Sequence, residues 1–232
     1  MAPQRTETAP LPPDGDPKHA ARATRSAGRR MLSLLLDAAS RLFKARGLAG
    51  TSISDIAAAA DAFPSQITYY FRTKEALFVE AACRDMLYVA RSAEQAALKA
   101  QTPRDYTRAL VEAVTATDSV AFFAEALTLT RRRPDLAPLV ERTIERLHAE
   151  GLRAYVGQME RHGWTTLRDP DASSRRFWAL AIGVMVEGYA MGRPAEELAS
   201  EMLRVLGDQA TTKPGARLRL VGERSPEGEI QS

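Results

Sequence analysis

Between residues 29 and 46 the apolar side chains Met31, Leu34, Leu35, Ala38 and Leu42 return every three or four positions, which lays one stripe along an α-helix. Gly47 then supplies a helix stop. A short second helix is expected next: Ser52-Ile53-Ser54-Asp55 is close to a capping box, and Ile56 to Ala60 follow it. Asp61-Ala62-Phe63 makes a turn. Pro64 stands at the first turn of a third helix, carrying Ser65 to Tyr70, where its missing N–H leaves no bond unmade. Thr73 caps a longer helix running through about Lys99, and beyond Pro103 the pattern predicts helices over 104–117, 119–132, 135–162, 172–192 and 195–206. No stretch alternates convincingly between polar and apolar, so the fold class is all-α with about nine helices. Residues 1–27 and 208–232 lack periodicity and are expected to be flexible arms. Between them lie a three-helix unit at 28–74 and a larger helical bundle at 75–207.

Two segments of the bundle stand out. The helix over 135–162 shows Leu136, Leu139, Val140, Ile144 and Leu147 on one face, continued by Tyr155 and Met159, which implies a packed flank. The run from Phe177 to Val186 is apolar on every side and needs partners all round, a second copy of the chain among them. Gly183 and Gly188 permit close approach there. The longest apolar stretch, 177–191, contains Glu187 and is shorter than the roughly 20 residues a bilayer requires, so no membrane span is expected. The single cysteine, Cys83, cannot form an internal disulfide, and the polar, proline-rich start does not resemble a secretion signal. These features predict a cytoplasmic protein.

The formal net charge is only +3, yet the basic residues gather early. From Arg22 to Lys74 there are nine of them against Asp37, Asp55 and Asp61, an excess of six. The remainder of the chain is therefore slightly acidic. Such a division suits an N-terminal part that meets phosphates, or a solvated basic surface.

A long helix, two short helices across a tight turn and a further long helix match the trihelical unit that enters DNA grooves. The segments Thr51 to Ala60, Pro64 to Phe71 and Thr73 to Phe78 resemble the DNA-binding signature of the TetR family, most distinctively in the spacing of Ile56-Ala57, Tyr69, Phe71, Lys74 and Leu77. Recognition helices aim short polar side chains at base edges and hydroxyls or cations at phosphates. Ser65, Gln66 and Tyr69 fit those tasks: Gln66 can offer its amide to an adenine, and the resemblance sends Tyr69 to a phosphate, assisted by Tyr70. Thr51, Ser52 and Lys74 match positions that clamp the DNA backbone, helped by helix N-termini; Thr51 reads equally as a cap. Ile56, Ile67, Phe71 and Leu77 read as core. The chain departs from the family at the turn, where Ala60-Asp61-Ala62-Phe63 lacks the usual glycine and serine cap. Asp61 tolerates a left-handed conformation. Phe63 either staples onto the helix or touches a thymine methyl.

The resemblance implies a homodimer built through the last two helices, a small-molecule effector of apolar or amphipathic character, and repression from a pseudo-palindromic operator. Candidate pocket residues are Phe122, Phe123, Tyr155, Met159, Trp178 and Met185, with His148 or Glu187 as polar partner; core packing or surface solvation is the competing reading for each. No cofactor or metal is expected. Glu145 and His148 have the spacing of a di-iron motif but no second copy accompanies them, and no phosphate-binding glycine loop is present, so catalysis is not expected. A non-sequence-specific nucleic-acid binder or helical interaction module is the alternative; it accounts for the basic region but not for the ordered turn and recognition pattern.

Overall fold

The computed structural model describes residues 17–166 and 168–207. Among them the chain forms nine α-helices and no β-strand: α1 Pro17–Arg46, α2 Ile53–Ala59, α3 Pro64–Phe71, α4 Lys74–Ala97, α5 Pro103–Thr115, α6 Ser119–Leu129, α7 Ala137–His162, α8 Pro170–Ala190 and α9 Ala195–Leu206, with a 3-10 turn at Pro134–Leu136. The all-α reading stands. The first helix differs in length, because it opens at Pro17 instead of residue 29. Residues 17–28 carry no apolar stripe, but a leading proline and the alanines and arginines behind it are good helix formers. The flexible arm expected through residue 27 is thus helical from Pro17; residues 1–16 and the expected tail 208–232 lie outside the described residues.

Two compact units emerge. One contains the described residues of Met1–Val89 and Asp118–Glu145, the other those of Ala90–Thr117 and Arg146–Ser232, and α4 and α7 contribute to both. α6 therefore falls in the same compact unit as the N-terminal helices. Packing explains this: the Phe78 ring of α4 meets Phe43 of α1 and Phe122 of α6 edge-on, each at 5.0 Å, a favoured aromatic geometry. Beside the rings, Lys44 Nζ reaches Asp85 at 2.9 Å, Asp118 at 3.2 Å and the Ser119 hydroxyl at 2.8 Å. Ser40 donates to the same Asp85 carboxylate. Ion pairs this shielded are stabilising only when each charge is also hydrogen-bonded, and here the aspartate has that second donor.

In the second unit α5, α8 and α9 pack on one another. Leu198, Met202 and Leu206 of α9 are buried at helical spacing. Gly188 lets α8 lie against α9, since a Cβ there would overlap the Leu198 side chain. Gly183, the other glycine expected to allow close approach, has open space at its Cβ position. A further cluster joins Tyr106, Tyr155 and Trp164 with Ala97 and Ala100, and Met159 packs against it.

Candidate nucleic-acid interface

The short helices α2 and α3 are held in register by an unusual but legible turn. Asp61 adopts φ 50°, the left-handed conformation that costs a non-glycine residue roughly 1–2 kcal/mol. It brings the Ala62 N–H onto the Ala57 carbonyl at 2.9 Å. Ile56, Ala57, Ile67 and Phe71 are buried, so each short helix has one face fixed to the core. α3 can then present only its opposite face. Tyr69 is 81% exposed and Phe63 74%, with Ser65 and Thr68 exposed beside them.

Phe63 is the N-cap residue of α3 and has no side-chain acceptor to offer. Its own amide is satisfied by the Gln66 side chain, whose Oε1 accepts at 2.9 Å, giving half of a capping box. Its exposure speaks against the apolar staple expected for Phe63. Gln66 is partly committed by the cap, and its Nε2 is the end left for a base edge. Tyr70 is half-buried, meets Tyr69 edge-on at 5.2 Å, and its hydroxyl lies beside Gly28 of α1.

Three of the expected backbone clamps are engaged internally. Thr51 is 1% exposed, and its hydroxyl donates inward, at 2.9 Å to the Gly47 carbonyl with the Leu42 carbonyl at 3.3 Å. That geometry is a structural tie, and it takes the Thr51 side chain away from any phosphate. Lys74 Nζ donates to the carbonyls of Leu48 and Thr51, both at 2.8 Å, stitching the α1–α2 loop to the start of α4; one N–H of three is left over. Ser52 caps α2: its hydroxyl donates to the Asp55 carboxylate at 2.6 Å while accepting from the Asp55 amide. Those two donations from Ser52, through hydroxyl and amide, hold the Asp55 carboxyl below its usual range.

The candidate pocket residues separate. Phe122 and Phe123 are buried in the first unit. In the second unit a cleft is lined by Glu94, Tyr106, Leu110, Tyr155, Phe177 and Trp178, with Ala90, Ala93, Thr107, Gly151, Ser173 and Ser174 completing its wall. Of the expected set it contains Tyr155 and Trp178. Met159 packs in the neighbouring aromatic cluster and Met185 is buried elsewhere on α8; Glu187 is exposed. His148 faces Arg175, Nδ1 to Nη1 at 3.1 Å, and burial followed by the Arg175 charge depresses its pKa. The sequence reading missed Glu94, because a glutamate on a long amphipathic helix looks like solvated surface. Glu94 is half-buried, and desolvation, then the neighbouring Glu150 charge, push its carboxyl pKa up. The Tyr155 hydroxyl is buried with no hydrogen-bond partner.

A helix-turn-helix with an anchored second helix and an exposed polar-aromatic face defines a DNA-binding protein of the trihelical class. Residues 35–81 match the family model of bacterial regulatory proteins of the tetR family, and residues 103–207 that of the bacterial transcriptional repressor C-terminal domain. A transcriptional regulator from Rhodococcus sp. RHA1 is 35% identical, with a TM-score of 0.68 over 76% of this chain and 95% of that one. The chain belongs to the TetR family of transcriptional regulators. The fold is shared at lower identity by a TetR-family regulator from Mesorhizobium loti (21% identical, TM-score 0.60, 77% of this chain and 97% of that one). It is shared also by NemR of E. coli in its reduced form (19% identical, TM-score 0.62, 80% of this chain and 100% of that one). Among curated proteins none matches the sequence. No helix among the described residues is long and apolar enough to cross a membrane.

Proposed function

We propose that the protein is a ligand-responsive repressor: a homodimer that reads the half-sites of a pseudo-palindromic operator with its two α3 helices and leaves the DNA when a small molecule enters the cleft of the second unit. The observation that carries the DNA reading is the face of α3, where Tyr69, Phe63 and Ser65 stand exposed over the buried anchors Ile67 and Phe71. Rigid anchoring matters because base readout requires side chains held in one register along the groove. Dimerisation is supported by α8, whose Ala179, Gly183, Val186 and Ala190 form an exposed apolar stripe at helical spacing, with Val205 of α9 exposed as well. An apolar stripe of this kind suits a self-complementary two-fold interface.

The cleft supports the effector reading. Its enclosed space is about 50 Å³, room for a few water molecules and less than a drug-sized ligand occupies. An occupant has to displace the walls, and that displacement is what couples binding to a change in the helices. The test is fluorescence anisotropy with DNA flanking the protein's own coding region, against random competitor at rising salt. Operator binding that resists competitor and is weakened in Tyr69→Phe supports the reading. Binding that falls equally for all sequences as salt rises marks a charge-only binder.

A further inference from the structure

The cleft has a one-sided chemistry. Four aromatic side chains, Tyr106, Tyr155, Phe177 and Trp178, form its walls, and Glu94 is the one ionisable carboxylate or cation among its lining residues. Nothing among the described residues donates to that carboxylate: its surroundings act on it only through burial and through the charges of Glu150 and Arg153. Arg153 is largely exposed and is shared with Glu150 at 3.9 Å, while Glu150 also binds Arg146 at 2.7 Å. The cleft therefore holds an acid without its base. On α7 the Tyr155 hydroxyl, also in the lining, is buried and unpartnered, which leaves its oxygen without a donor and its proton without an acceptor. The Glu94 charge already acts on the Tyr106 hydroxyl, so carboxylate and aromatic wall lie within electrostatic reach of each other. Gly151 lets α7 approach α8 closely at the cleft, since a Cβ there would come within 2.6 Å of Ser174 Oγ and 3.5 Å of the Trp178 indole nitrogen.

We infer that the effector is a lipophilic amine, bound as its ammonium form against Glu94 with the Tyr155 hydroxyl oxygen as a second acceptor and its apolar body between the aromatic rings. An ammonium supplies N–H donors to the Glu94 carboxylate and charge opposite to it, and the aromatic faces around it attract cations. A carboxylate or phosphate effector would meet the Glu94 carboxylate with no cation among the lining residues. The inference rests on the effector reading of this cleft and deepens it by naming the ligand class.

Three ligands of one shape separate the alternatives: phenylbutylamine, phenylbutanol and phenylbutyrate, titrated into the full chain by calorimetry and by the fluorescence of its two tryptophans, Trp164 and Trp178. The amine binds at least about tenfold more tightly than the alcohol and the acid. Glu94→Gln abolishes the preference for the amine over the alcohol, and Tyr155→Phe weakens the amine by a smaller factor. Unfolding melts of both variants show that the wall is intact. Equal binding of the three ligands, or an amine affinity indifferent to Glu94→Gln, overturns the charge assignment and leaves the cleft as an effector site. Binding of none of the three overturns both, while operator binding, measured on the same preparation, stands or falls separately.

Discussion

Helices α3 and α8 each leave one face uncovered, and the two faces differ in chemistry and in support. On α3 the uncovered groups are a phenol, a hydroxyl and a phenyl ring, and the other face is nailed to the core by Ile67 and Phe71. On α8 the uncovered stripe is Ala179, Gly183, Val186 and Ala190, small and apolar, with Phe177, Trp178, Ala181, Val184 and Met185 buried behind it. A polar-aromatic face can be solvated alone and can exchange water for base edges and phosphates. The apolar stripe gains free energy only by finding another apolar surface. Under the function proposed above the two faces divide the labour: one helix would address a duplex, the other a second copy of the chain, and a two-fold operator would require both.

The largest effect is expected from removing the anchor of α3. Phe71→Ala should destabilise the first unit by about 3–5 kcal/mol, seen as a lower urea midpoint. A loss under about 1 kcal/mol would mean that α3 is not held by this ring. Next comes the α8 stripe. Gly183→Glu with Val186→Glu places charges where the partner copy should sit; the protein should sediment as a monomer with unchanged helical content. Operator affinity should fall by about a hundredfold, because the second half-site is no longer tethered to the first. A dimer that persists would move the interface elsewhere. Smaller again is Tyr69→Phe, which removes one exposed hydroxyl: affinity should drop by about three- to tenfold, near 1 kcal/mol, with no change in the melting temperature. If the melt moves and the affinity does not, Tyr69 belongs to the fold and not to the interface.

Most of the helix plan was legible because it is written in local signals: the apolar period of 3.6, prolines at Pro64 and Pro103 beside helix starts, and the cap at Ser52. The start of α1 was not, since Pro17–Gly28 folds without an apolar stripe to announce it. The site was legible in its exposed members and opaque in its tied ones. Nothing in the sequence around Lys74 shows that its ammonium is claimed by the carbonyls of Leu48 and Thr51, because that bond joins residues more than twenty positions apart. For the same reason Phe122 and Phe123 looked like pocket residues until the packing on Phe78 placed them in the first unit. Glu94 was hidden by the opposite effect: its surroundings in the folded chain, and not its neighbours in sequence, set it apart.

The smallest effect concerns the cap that starts α2 and so sets the angle at which α3 is carried. Ser52 donates to Asp55 through its hydroxyl at 2.6 Å and its amide at 3.0 Å. Both bonds favour the ionised carboxylate, which lowers the folded pKa below the unfolded one. A depressed acid contributes stability at pH values above its unfolded pKa, near about 4, and that contribution fades as the pH falls through the folded value. Asp55→Asn should therefore melt slightly below the parent at neutral pH, and the gap should close as both are taken from pH 6 toward pH 3. A gap that stays constant over that range would show that the cap works through shape alone. In that case the Asp55 charge has no part in holding α2 and α3 at the angle the duplex requires, and that angle depends on the buried contacts of Ile56 and Ile67 and on the left-handed turn at Asp61.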